Sequence, residues 1–184
     1  MEIKISTELK LKILYILSWI VFIGLCIEAG GFIFNTLFTS FFNPIGANYF
    51  WKEIDLSDLY KFDSGYFCVI GFLMSLVTIL KAILFYLIVK LLHDKKLDLS
   101  QPFTHEFRHF IIIASYLSVG IGMFSFWGAK HVEWFVAQGV KMPEIQVLKF
   151  GGADVWFFMA ITLYVIAQIF KKGIEIQTEN DLTI

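Results

Sequence analysis

Charge is scarce in this chain. Lysine, arginine, aspartate and glutamate make up 17% of its 184 residues, against about 25% in a typical soluble domain. What charge there is nearly cancels, with 15 basic and 16 acidic side chains. A nucleic-acid module built on a basic face is therefore excluded, as is long-range steering of partners by a net field. Only two cysteines occur, Cys26 and Cys68, each inside an apolar run. They offer no disulfide framework and no zinc spacing, and read as small apolar fillers. Motifs of phosphate binding and nucleophilic catalysis are missing: there is no G-x-x-x-x-G-K, no G-x-G-x-x-G and no nucleophile elbow. No internal repeat of the transporter kind is present. No cofactor and no direct nucleic-acid contact are implied.

What the chain has in excess is apolar surface. Hydrophobic residues make up 58% and mean hydropathy is +0.71. A membrane span needs about 20 mostly apolar residues, and four segments qualify: residues 13–36, 66–92, 109–127 and 151–170. Lys4, Lys10 and Lys12 before the first of these imitate a signal peptide. Yet Glu28 follows instead of a small-residue cleavage site, and the apolar run resumes to Phe42, so the segment reads as an uncleaved span. The expected fold is all-α, one membrane domain over residues 1–184. Outer loops are expected at 42–65 and 128–150, an inner loop at 93–108 and a tail at 171–184.

Positive charge sets the expected orientation. Nine cations (Lys4, Lys10, Lys12, Lys90, Lys95, Lys96, Arg108, Lys171 and Lys172) flank the side that holds both termini. Five (Lys52, Lys61, Lys130, Lys141 and Lys149) flank the other. Both termini are then cytoplasmic. Tyr49, Phe50, Trp51, Tyr60 and Tyr66 in one outer loop, with Trp127, Trp134 and Phe135 in the other, suit an aromatic belt at the headgroups.

Helical spacing aligns small and polar residues on one face of each span. The first carries Gly24, Glu28, Gly31 and Asn35; the second Gly71, Ser75, Thr78 and Lys81 or Ala82; the third Ser115, Ser118, Gly122, Ser125 and Ala129. The fourth offers Asp154 and Gln168, with Phe158, Ile161 and Val165 between. Small residues let helices approach and polar ones bond across them in lipid, so a compact four-helix bundle is expected with these stripes inside. Charges within the spans are the sharpest chemical signal. Glu28 and Asp154 fall at similar depth, and Lys81 lies about 14 Å from Lys90 at 1.5 Å per residue. An intramembrane charge normally faces protein or water. Glu28, Lys81 and Asp154 are thus candidates for an internal ion pair or a ligand site, with Lys81 in reach of either acid.

His105 and His109 stand at i and i+4 around Glu106, so that residues 105–109 read H-E-F-R-H. The pattern matches a zinc-hydrolase motif with two histidine ligands and a glutamate base. It lies at the mouth of a span beside Lys95, Lys96 and Arg108, whereas membrane zinc proteases keep it within a span. With three fixed positions it is read as a chance match, and the chain as a non-enzyme. His105 and His109 stay the weak metal candidates.

The inner loop places Pro102 and Thr104 before the third span, Thr104 as N-cap and Glu106 in the first turn. The tail runs IFKKGIEIQTENDLTI, its helix continuing toward Glu179 or breaking at Gly173. The PFT-x-E-F segment and this ending resemble the bacterial membrane family catalogued as domain of unknown function 2975 (DUF2975). Lys171 and Lys172 stand where that family commonly has Arg, and Phe107 where it commonly has Asn. The resemblance implies a four-span layout over nearly the whole chain and no established enzymatic activity. Members are often encoded beside a small helix-turn-helix regulator, which implies the membrane component of a regulatory pair. The candidate contacts for such a partner are Pro102, Phe103, Thr104, Glu106, Glu179, Asn180, Asp181 and Leu182. A small transporter or ion-handling subunit, an assembly subunit of a membrane complex and a homo-oligomer are the alternatives that the residues leave open.

Overall fold

The computed structural model describes residues 7–52, 54–94 and 103–181. The elements are α1 (Thr7–Phe41), a 3-10 segment (Pro44–Tyr49), α2 (Ser57–Phe62), α3 (Ser64–His93), α4 (His105–Ala137) and α5 (Ala153–Asp181). Among the described residues the β-type pairing is one isolated bridge, Trp51 to Ile54. Four helices, all but α2, are long and apolar enough to cross a membrane.

Local chemistry sets the breaks. Pro44 and Pro143 fall between the long helices, where a missing N–H removes no helical bond. Asp63 closes α2 and caps α3, its carboxylate accepting the Tyr66 amide at 2.9 Å. Thr104 caps α4 as the sequence predicts, accepting the Phe107 amide at 3.2 Å. At the other end of α4, Gly139 takes φ +82°, a left-handed conformation that suits glycine. The Val140 N–H then returns to the Phe135 carbonyl and closes the final turn. The helices outrun the apolar segments that announce them: α1 reaches Phe41, α4 reaches Ala137, and α5 passes through Gly173 to Asp181. Loss of hydropathy does not stop a helix when the following residues are good helix formers.

Packing follows chain order: α1 on α3, α3 on α4, α4 on α5. No contact of similar extent joins α1 to α5 among the described residues. The long helices therefore form an open row, where the stripes suggested a closed bundle. Burial agrees: 44% and 39% of the apolar windows of α3 and α4 are buried, against 11% for α1 and α5. The row is antiparallel. Tyr15 near the start of α1 meets His93 at the end of α3, and Phe107 at the start of α4 meets Phe170 near the end of α5. The first residues of α1 and the last of α5 thus share one end of the molecule, the terminal end. The opposite end is the loop end.

Three of the four stripes face neighbours, except at Gly24, which is exposed with open space beside it. Gly31 lies under the Trp51 ring and Gly71 under the Thr36 side chain, each so close that a Cβ would clash. Ser115 donates to the Ala160 carbonyl at 2.8 Å, tying α4 to α5. Thr36, Ser75, Thr78 and Ser118 instead bond carbonyls of their own helices. The fourth stripe is inverted. Asp154, Phe158, Ile161, Val165 and Gln168 are all exposed, and α5 packs through Phe157, Ala160 and Ala167. Alanines gave the smaller and closer face, and small residues rather than polar ones set helix approach here.

The best-filled core lies at the loop end. Phe32, Phe50, Leu56, Leu59, Phe67, Phe135, Leu148 and Phe150 are all below 2% exposed. Phe50 stacks with Phe32 at 6.2 Å and meets Phe67 edge-on at 5.6 Å, the offset and T-shaped geometries that ring quadrupoles favour. The expected aromatic belt thus divides. Tyr49, Tyr66, Trp127 and Trp134 are exposed, while Phe50 and Phe135 are core.

One offset positions everything that follows. A Cβ on Gly122 would lie 3.3 Å from the Ala153 carbonyl and 3.1 Å from Phe157, so α5 begins beside the middle of α4. The fifteen residues from Gly122 to Ala137 carry α4 about 22 Å further at 1.5 Å per residue. Residues 138–152 fold back along that overhang, laying Phe150 on Gly128.

Candidate functional sites

The returning segment delivers Lys149 to the middle of the helix row. Its backbone is left-handed, φ +68°, a conformation that costs a non-glycine residue about 1–2 kcal/mol. The turn aims two groups of one residue at two helices. The ammonium reaches Glu28 on α1 at 2.9 Å, with the two side chains 34% and 17% exposed. The carbonyl accepts from Lys81 on α3 at 3.4 Å. Lys81 also lies over the Trp156 ring of α5, 5.6 Å from its centroid, a cation–π contact. Four segments are thus joined through three charged side chains.

Glu28 and Lys81 lie in one cluster, within the reach that the sequence allowed Lys81, but they are not ion-paired to each other. The partner of Glu28 is Lys149, which the sequence assigned to an outer loop. The miss has a structural reason, because only the late start of α5 lets residues 138–152 descend beside α4. The one available signal was the Gly151–Gly152 pair, since Gly152 also takes a left-handed φ, +75°. Asp154 does not join the cluster. It is exposed in the first turn of α5, where the helix dipole favours a carboxylate.

At the terminal end the two most distinctive sequence segments pack on each other. Phe103 meets Phe170 with centroids 5.2 Å apart, and Phe107 meets the same ring at 5.1 Å. The Phe103 ring lies against Gly173, where a Cβ would stand 2.5 Å from its Cδ1. Phe103 and Thr104 thus hold the loop and cap α4, while Glu106 is left exposed. Beyond Gly173, α5 continues for two turns with Ile174 turned inward and Glu175, Glu179 and Asn180 exposed. Glu175 is approached by Lys172 at 3.4 Å and by Lys171 at 4.0 Å. Pro102 and Leu182 lie outside the described residues, as does the side chain of Asp181.

His105 and His109 are exposed at the start of α4. His109 and Glu106 line a cleft of about 250 Å³ between α3 and α4, together with Lys90 and Asp94. Among the described residues no three His, Cys, Asp or Glu side chains converge as a metal site would require.

No curated protein and no solved structure matches this chain. The pattern of the family described as Protein of unknown function (DUF2975) matches residues 43–184. That stretch begins after α1 and takes in the loop-end core apart from Phe32, together with α3, α4, the returning segment and the whole of α5. With more than half of its length matched, the chain belongs to the DUF2975 family.

Proposed function

We propose that this is a multi-pass protein of a bacterial cytoplasmic membrane, with both termini in the cytoplasm, acting as a non-enzymatic regulatory partner. The observation that carries the reading is the docked tail. The segment before α4 holds the last turns of α5 against the helix row, so a polar helical extension stands beyond Lys171 and Lys172 with its acidic face exposed. The bias of nine cations against five supports a cytoplasmic position for that end. A helical extension of this kind suits a soluble protein partner, and its Glu175, Glu179 and Asp181 suit a basic surface such as that of a helix-turn-helix regulator. Glu106 stands on the same end of the molecule.

The test is co-purification of a candidate helix-turn-helix regulator with the full protein and with a form ending at Gly173. The shortened form keeps the Phe103–Gly173 contact and loses only the extension. Recovery should fall at least tenfold, the effect of about 1.4 kcal/mol. Equal recovery from both forms would remove the tail from the interaction.

A second reading, an ion-handling subunit, rests on the Glu28–Lys149–Lys81 cluster. Proton flux into liposomes that is lost in Glu28→Gln would favour it, and absence of flux would end it.

A further inference from the structure

Glu28, Lys149 and Lys81 are held together but do not balance. The Glu28–Lys149 pair is neutral. Lys81 beside it has a backbone carbonyl and a ring face, and among the described residues no carboxylate lies within ion-pair distance of its ammonium. The next acid along, Asp154, points outward on α5. An ammonium at this depth in an apolar span calls for a counter-charge, and among the described residues one carboxylate serves two lysines.

The open row leaves a way in. Because α1 and α5 are not packed together, the inner face of α3 is approached from the side between them. Lys81, Phe85, Ile88 and Leu92 recur on that face at i, i+4, i+7 and i+11, and all four are only partly buried. A charged head therefore meets Lys81 at the top of an apolar strip that runs toward the terminal end.

The geometry points to a lipid site: Lys81 and Lys149 together hold the phosphate of an anionic phospholipid, whose chains lie along Phe85, Ile88 and Leu92. The two non-bridging oxygens of a phosphodiester accept from two ammonium groups at once. Its single charge neutralises the cluster, which a zwitterionic head bearing its own ammonium does not. This inference rests on the membrane reading above.

The experiment uses the purified full chain in nanodiscs. Membrane partition is checked first, by carbonate washing. Release into the aqueous fraction would sink the membrane reading itself, before any lipid is compared. Retained lipid is then counted by native mass spectrometry in mixed phosphatidylglycerol and phosphatidylcholine. Wild type should favour phosphatidylglycerol by about fivefold or more, the effect of one lysine near an anionic surface. Lys81→Met should lose the preference and Glu28→Gln should strengthen it. No preference in wild type, or the same preference in Glu28→Gln, overturns the proposal, and these two arms stand even where Lys81→Met does not fold. Inorganic phosphate in phosphatidylcholine nanodiscs separates the sources. Thermal protection equal to that by phosphatidylglycerol would assign the site to a soluble phosphate and overturn the lipid assignment.

Discussion

Gly173→Ala sets two effects of opposite sign against each other, which makes it a sharp test of the docked tail. In an exposed helix the change stabilises by about 0.8–1 kcal/mol through propensity alone. Here the new Cβ would stand 2.5, 2.7 and 2.8 Å from three carbons of the Phe103 ring. Carbon atoms at rest sit about 3.5–4 Å apart, so the ring must retreat by roughly 1 Å. Phe103 is 38% exposed and has room to swing outward, but doing so loosens its contact with Phe170. Overpacking of this order costs about 1–3 kcal/mol. The net effect is a destabilisation between zero and about 2 kcal/mol. In a Phe103→Ala background the obstruction is gone, and Gly173→Ala should stabilise by the full propensity gain of about 1 kcal/mol. Reversible unfolding in mixed micelles gives the four stabilities of the cycle, and tryptic cleavage at Lys171 and Lys172 reads fraying locally. A coupling energy of about 1–3 kcal/mol is expected for residues in contact. If Gly173→Ala stabilises equally in both backgrounds, the Phe103 ring does not lie on the tail helix and the docking described here is wrong.

The Glu28–Lys149 pair, mostly buried at 2.9 Å, falls between a surface pair worth about 0.2–1 kcal/mol and a buried one whose loss costs about 3–5. A Glu28→Gln, Lys149→Met double-mutant cycle should give about 1–3 kcal/mol, and a value near zero would remove it as a link between α1 and the returning segment. Ser115→Ala deletes the α4–α5 hydrogen bond and should cost about 0.6 kcal/mol and at most about 1.7; a neutral change would mean that Ala160 finds another donor. Thr104→Ala should destabilise the start of α4 by about 1 kcal/mol, with Thr104→Ser restoring it, as read by amide exchange in the first turn. In the loop region the Ser57 backbone N–H holds the Asp55 carboxyl below its usual 3.8. Its support for α2 is therefore intact above that pH and fades as the pH falls through the lowered value. Asp55→Asn should flatten the acid limb of the stability curve, and an unchanged limb would show that Asp55 does not contribute.

Much of the helix content was legible because long apolar runs admit little else when backbone groups must bond internally. Thr104 as a cap followed from local chemistry of the same kind, whereas the sequence left open whether α5 continues past Gly173 or breaks there, and the structure shows the continuation. The loop-end core was not legible. Phe50, Leu148 and Phe150 sit in segments with no period of their own, and their burial is created by α4 overhanging α5. The cluster was half legible. Depth counting put Glu28 level with Asp154 and Lys81 within a side chain's reach of either, since rise per residue is fixed, but the partner of Glu28 is a loop residue whose height no helical count gives. The inverted stripe of α5 has a related cause. Its polar residues sit near the two ends, where water can reach them, so they carry no information about which side faces protein.

The offset start of α5 also has a consequence for the surroundings. Exposed apolar side chains run along α1 from Ile13 to Phe41, roughly 42 Å at 1.5 Å per residue. On α5 the stretch between Asp154 and Lys171 is only about 26 Å by the same rise. A bilayer core of about 30 Å fits neither edge. Placed in one, the molecule would lean its α1 side and pinch the lipid beside α5, since mismatch is relieved by tilt on the long side and thinning on the short. Its two flanks would then prefer bilayers of different thickness, and a thickness gradient in the membrane would act on the molecule as a torque.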